Sequence, residues 1–232
     1  MFDFSGDEVD NIPDGMGLWL GKTDNESNIS QELWMFSSGG IYYISDKTQP
    51  RYVPENLPSY DQAKEIAENF IQNIVVHGLA PSQVQIKFAS VNPGGWTARG
   101  NENIVLYLSV RFELGFNGLR IMGPGGKVSV LVGDNGAVVG FIGFWRDVVQ
   151  DSNASVTVTP DGALEDLKAG LRNVDATVEN IALGYYSTSI IERQVNLQPA
   201  YVFQLLENQS RTMLVEAVSA NSENPDVTPP KL

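Results

Sequence analysis

Ser59-Tyr-Asp-Gln-Ala-Lys-Glu-Ile-Ala-Glu-Asn-Phe-Ile-Gln-Asn-Ile-Val-Val-His-Gly78 is the stretch on which the fold turns. Ala63, Ile66, Ala67, Phe70, Ile71 and Ile74 fall at helical spacing and make one apolar stripe. Ser59 is placed to cap this helix, and Gln62, three residues on, is placed to bond back. Gly78, after His77, supplies the stop. A helix with a single apolar stripe needs a surface to bury it against, and the next residues provide one. The period switches to two at Val84-Gln-Ile-Lys-Phe88, and residues 104–114 read as a long strand ending at the turn signal Asn117-Gly118. Residues 127–132 then face residues 137–142 across Gly133-Asp-Asn-Gly136, whose Asn-Gly pair tolerates the positive φ of a tight hairpin.

Working outward, residues 1–15 are acidic and polar and end in Asn11-Ile-Pro-Asp-Gly15, a turn signal. Strand-like runs follow at Gly17-Leu-Trp-Leu20, Glu32-Leu-Trp-Met-Phe36 and Gly40-Ile-Tyr-Tyr-Ile44, which predicts a small β-meander. A proline-bearing connector, residues 49–58, leads to the helix. Beyond the hairpin the order repeats. Thr159 before Pro160 fits an N-cap and first helical position, and Ala163, Leu164, Leu167 and Leu171 make a second stripe. Strands are predicted at residues 181–186, 200–206 and 212–218. A helix followed by strands thus occurs twice. The sequence therefore predicts an α+β fold: two tandem helix-plus-antiparallel-sheet units with an N-terminal β-meander. The expected divisions are an acidic segment and meander over 1–57, a first unit over 58–150, a second over 151–220, and a polar, proline-rich disordered tail over 221–232.

With 28 acidic and 15 basic residues among 232, the formal net charge is −13. Such a field repels phosphate backbones and anionic membrane surfaces, and no stretch gathers the Lys and Arg that nucleic-acid binding needs. There is no cysteine, so disulfides, thiolate zinc sites and cysteine nucleophiles are excluded. Asn25, Asn28, Asn153 and Asn208 begin Asn-X-Ser sequons, which chance alone also produces in a chain rich in Asn and Ser. The opening Met1-Phe-Asp-Phe-Ser-Gly-Asp-Glu lacks the basic start and apolar core of a signal peptide. The longest apolar stretch, residues 136–145, is far too short to span a bilayer, so no membrane insertion is expected. Either the protein is cytoplasmic as written or a leader or anchor lies upstream of Met1; the acidic opening, which begins mid-pattern, favours the second and hence an extracytoplasmic location.

Residue types that carry chemistry are scarce. His77 is the single histidine, sits at a helix end, and has no Gly-x-Ser-x-Gly elbow to serve. Gly123-Pro-Gly-Gly-Lys127 lacks phosphate-loop spacing, has Val128 where Ser or Thr would hold magnesium, and leads into a strand. Asp134, Asn135 and Gly136 echo part of a calcium loop without its glutamate, and Asp3, Asp7, Glu8, Asp10 and Asp14 are a looser acidic group. Glu113, Asp147, Glu192 and Glu216 lie in or beside strands, with nothing to select a catalytic pair. No cofactor or metal is implied. Among the aromatics Trp19, Trp34, Tyr42, Tyr43, Tyr185 and Tyr186 read as core. Trp96, in Asn92-Pro-Gly-Gly-Trp-Thr97, falls in a turn-rich loop where it can anchor a partner.

Val156-Thr-Val-Thr-Pro-Asp-Gly-Ala163, Ile181-Ala-Leu-Gly-Tyr-Tyr186, Asn196-Leu-Gln-Pro-Ala-Tyr-Val-Phe203 and Leu214-Val-Glu-Ala217 together resemble the PepSY-like modules of cell-envelope proteins. Gly123-Pro-Gly-Gly-Lys-Val-Ser-Val130, Gly133-Asp-Asn-Gly136 and Phe144-Trp145 are similar in the first half, and the arrangement is similar to that of YycI/YycH-type envelope regulators. The resemblance spans about residues 59–220 and brings no catalytic residues with it. It implies a non-catalytic extracytoplasmic module that binds or regulates another envelope or secreted protein. A carboxylate-dependent hydrolase and a small-ligand or lipid carrier are the alternatives. The first would need two acids in a cleft, and the second an apolar cavity between helix and sheet.

Overall fold

The structure, a computed structural model, describes residues 8–11, 17–23, 29–99, 102–146, 148, 158–170, 176–192, 194, 197, 199–207 and 213–219. Side chains are described within 31–97, 103–146, 158–169, 177–192 and 199–205, and at 148, 194 and 197. Four strands come first: β1 (Glu8–Asn11), β2 (Gly17–Thr23), β3 (Ile29–Phe36) and β4 (Ile41–Ser45). Helix α1 (Tyr60–Val76) precedes β5 (Gln85–Arg99), β6 (Glu102–Phe116), β7 (Leu119–Met122), β8 (Lys127–Val132) and β9 (Val138–Phe144). Helix α2 (Pro160–Gly170), β10 (Ala176–Tyr186), β11 (Pro199–Glu207) and β12 (Met213–Ser219) complete the order.

The local signals are met in detail. Ser59 Oγ accepts from the Gln62 N–H at 3.3 Å while Gln62 Oε1 accepts from the Ser59 N–H at 2.9 Å, a reciprocal capping box. Gly78 follows α1 at φ +68°, the left-handed conformation a helix stop uses. At the second helix, Thr159 Oγ1 accepts from the Gly162 N–H at 3.2 Å. Leu171 lies outside the described residues. Between β6 and β7 the turn has Asn117 at φ 48° and Gly118 at φ 80°, positive at both central positions as a type I′ hairpin requires.

The expectation of two tandem units is overturned. Among the described residues, twelve strands form one mixed sheet that runs without interruption from β1 to β12, with two α-helices laid on it. Two non-local ladders cause this. β4 pairs with β9, Tyr42 opposite Ile142, so the meander is stitched onto the first helix layer and is no separate element. β7 pairs in parallel with β10, Ile121 opposite Tyr185, so the last three strands extend the same sheet.

The sheet forks. β6 gives one edge to β5 along almost its whole length. Its other edge is shared, because Leu108–Phe112 pair with β8 and Leu114–Phe116 pair with β7. One branch leaves through β8 to β9, β4, β3, β2 and β1, and the other leaves through β7 to β10, β11 and β12. Residues 123–126 form the crotch. Gly125 N–H donates to Ser187 O at 3.1 Å, Ser187 N–H donates to Met122 O at 2.8 Å, and a Cβ on Gly125 would collide with the Thr188 carbonyl oxygen. Arg146 braces the same junction, its Nη2 donating to the carbonyl oxygens of Ser189 (2.7 Å) and Glu192 (2.9 Å). Burial lowers the Arg146 pKa, and the nearby Glu192 carboxylate opposes that shift.

Both helices lie on one face. The α1 stripe (Ala63, Ala67, Phe70, Ile71, Ile74) packs on Val110, Leu114, Val128, Val130 and Phe141, with Phe70 and Phe141 edge to face at 5.2 Å. Ala163 and Leu167 of α2 pack on Tyr201, Phe203 and Leu205, with Leu183 beside them. Leu183 and Tyr185 share a face by alternation, and Tyr185 packs on Phe116 at 5.6 Å, which puts α2 on the α1 side. Among the described residues no helix is long and apolar enough to cross a membrane.

Candidate functional site

β5 is an edge strand. It pairs with β6 from Gln85 to Arg99, and no described strand pairs with its other side. Three features fit that position. The register shifts at Ala89, a bulge that sharpens the local twist. Pro93, which donates no ladder bond, is tolerated because the strand is outermost. Gly94 and Gly95 follow, with Gly95 at φ +62°, and the Tyr107 ring lies so close over both that a Cβ on Gly95 would sit 2.6 Å from Tyr107 Cε1.

These breakers explain why residues 92–97 read as a loop in the sequence. The structure corrects that expectation: Trp96 is in the strand, directly opposite Val105, on the face away from the helices, and remains 59% exposed. On the helix side of the same strand Phe88 is 37% exposed, stands edge-on to Phe112 at 6.4 Å, and carries the Lys64 ammonium 4.6 Å over its ring. Lys87 is exposed on the face away from α1, opposite Glu113, whose carboxylate is held by Arg120 at 2.8 Å.

The other candidates disperse. His77 caps the C-terminal end of α1 in the open. Residues 123–126 are the crotch of the fork and lead into β8. Asp134 is engaged as a staple: its Oδ1 accepts from the Glu55 N–H (3.0 Å) and the Asn56 N–H (2.6 Å), and its Oδ2 accepts from Asn135 Nδ2 at 3.0 Å. Glu192 follows β10, while Glu216 falls in β12 and Asp147 outside the described residues. Asp3, Asp7, Asp14 and all four sequon asparagines also lie outside them. The α1–sheet interface is filled by the side chains named above. A shallow depression of about 350 Å³ lies between the connector, α1 and the β8–β9 turn, and Glu65 is the one carboxylate among its lining residues.

Two features escaped the sequence reading. Residues 69–101, which include all of β5, contain no Asp or Glu, although the chain carries 28. That gap was visible in the charge pattern and is meaningful only once those residues are known to form an edge. The second is Tyr42, half-buried on the face away from the helices. Its pKa is raised, first by burial and then by the neighbouring Glu32 and Tyr107. Alternation in residues 41–45 held that signal, but the approach of Tyr107 depends on the tertiary fold.

No family model matches this chain, and no curated protein sequence matches it. A crystal structure of an uncharacterized protein from Eubacterium rectale is similar over 92% of this chain and 77% of its own, at 12% identity and a TM-score of 0.45.

Proposed function

We propose that this chain is a non-catalytic, extracytoplasmic protein-binding or regulatory module of the cell envelope, which engages its partner along the β5 edge. The observation that carries the reading is an edge strand whose outer side no described strand pairs with, bearing a large exposed aromatic. Main-chain groups on such an edge accept an added strand without requiring particular side chains, and an exposed indole anchors it. The resemblance to PepSY-like modules supports the envelope setting and the regulatory role.

The test is capture from the envelope fraction of the parent organism, with wild-type protein and the Trp96→Ala variant side by side, followed by amide hydrogen exchange on the complex. A partner that protects residues 85–99 and is lost with Trp96→Ala supports the reading. A reproducible partner that leaves β5 exchange unchanged refutes it.

A further inference from the structure

We infer that the β5 edge receives an extended peptide segment carrying acidic side chains. This rests on the reading of β5 as the contact edge and adds the partner's chemistry. Charge complementarity favours this occupant. The chain bears −13, a field that repels any acidic ligand over most of its surface. The exception is the run from residue 69 to residue 101, which has no carboxylate.

Cations flank that edge on both faces. Lys64 stands over Phe88 on the helix side. Lys87 and Arg111 are exposed on the other side, Arg111 directly opposite Ser90. Two acids beside these cations are already engaged, Glu68 facing Lys64 at 4.0 Å and Glu113 bound to Arg120. A segment laid along residues 85–88 thus meets main chain that no described strand pairs with, an apolar ring and flanking positive charges, which act over roughly 8 Å at physiological salt. Reaching Trp96 from Phe88 takes eight residues of extended chain, about 26 Å. A second copy of this chain is the less suited occupant, because the bulge at Ala89 and the imide at Pro93 interrupt a long self-pairing ladder.

The experiment selects random twelve-residue peptides displayed on phage against the intact protein. The enriched peptides are then measured by fluorescence anisotropy at 50 and 300 mM salt, and by amide hydrogen exchange. The expected result is enrichment of sequences with two or more Asp or Glu that protect residues 85–99. Their affinity should fall with salt and drop about tenfold in the Lys64→Glu/Lys87→Glu variant. Neutral or basic peptides that protect β5 equally well would overturn the acidic preference and leave the edge reading standing. Enriched peptides that leave β5 exchange unchanged, or no enrichment at all, would overturn both. Protection of β5 that grows with protein concentration in the absence of peptide would assign the edge to a second copy and overturn the inference.

Discussion

Gly125→Ala is the most direct challenge to the forked architecture. The added methyl group would run into the Thr188 carbonyl oxygen and approach Ser187 Oγ to 2.5 Å. Both neighbours belong to the chain leaving β10, and the first is backbone, so no rotamer change makes room. Overpacking of this kind costs about 1–3 kcal/mol, and separating the strands also breaks the Gly125–Ser187 hydrogen bond, worth about 1 kcal/mol. A loss of about 3 kcal/mol is therefore expected. It should fall unevenly, because the α1 layer does not pass through the crotch. Urea unfolding would give the total, and amide hydrogen exchange would locate it: faster exchange in β10 and β11, with α1, β6 and β8 protected as in wild type. Gly118→Ala is the control: Gly118 stands at φ +80° with open space around it, so the substitution there carries a conformational penalty and no collision, the reverse of Gly125. It should cost only about 1 kcal/mol, without regional bias. A Gly125→Ala protein with the wild-type midpoint and exchange pattern would refute the account of the junction.

Asp134→Ala removes the acceptor shared by the Glu55 and Asn56 amides. It should cost about 1–2 kcal/mol and lower Tm by about 2–8 °C in calorimetry, with Asp134→Asn retaining part of the loss. Phe141→Ala empties a fully buried position between Phe70 and Trp145 and should cost about 3–5 kcal/mol by urea titration. Because the folded protein holds the Tyr42 proton above the ordinary value of 10.0, it binds more protons than the unfolded chain once pH exceeds 10. The stabilisation is fully present below that value and is lost as pH rises through the folded pKa. A Tyr42→Phe variant should show a shallower alkaline decline, measured as Tm against pH. Trp96→Ala should leave the unfolding midpoint within about 0.5 kcal/mol of wild type, since an exposed side chain contributes little to folding.

Short-range chemistry was legible in the sequence; ladder partners were not. Ser59 and Gln62 announce a helix start because their side chains satisfy amides three residues away, and Asn117-Gly118 announces a turn because the required φ belongs to those residues alone. By contrast, residues 41–45 look the same whether they end a meander or sit in mid-sheet, and only the pairing of Tyr42 with Ile142 decides it. Leu119–Met122 is four residues long between Asn117-Gly118 and Gly123-Pro124, too brief to declare a period, yet it carries the parallel ladder that unites the two branches. The site was half-legible. Trp96 stood out as an aromatic among breakers. The same Pro93, Gly94 and Gly95 that drew notice to it concealed the strand, because breakers do not exclude an edge whose outer side has no ladder to break.

The union of β4 with β9 also has a temporal meaning. Ile41–Ser45 leaves a ribosome or a translocation pore long before Val138–Phe144 exists to lie beside it. Until then the third and fourth strands carry apolar residues such as Leu33, Ile41 and Tyr43 without the neighbouring strand that seats them in the core. Non-local closure of this sort slows folding and prolongs the interval in which a nascent chain is adhesive. A holding chaperone that recognises residues 29–45 would therefore matter most before residue 144 emerges.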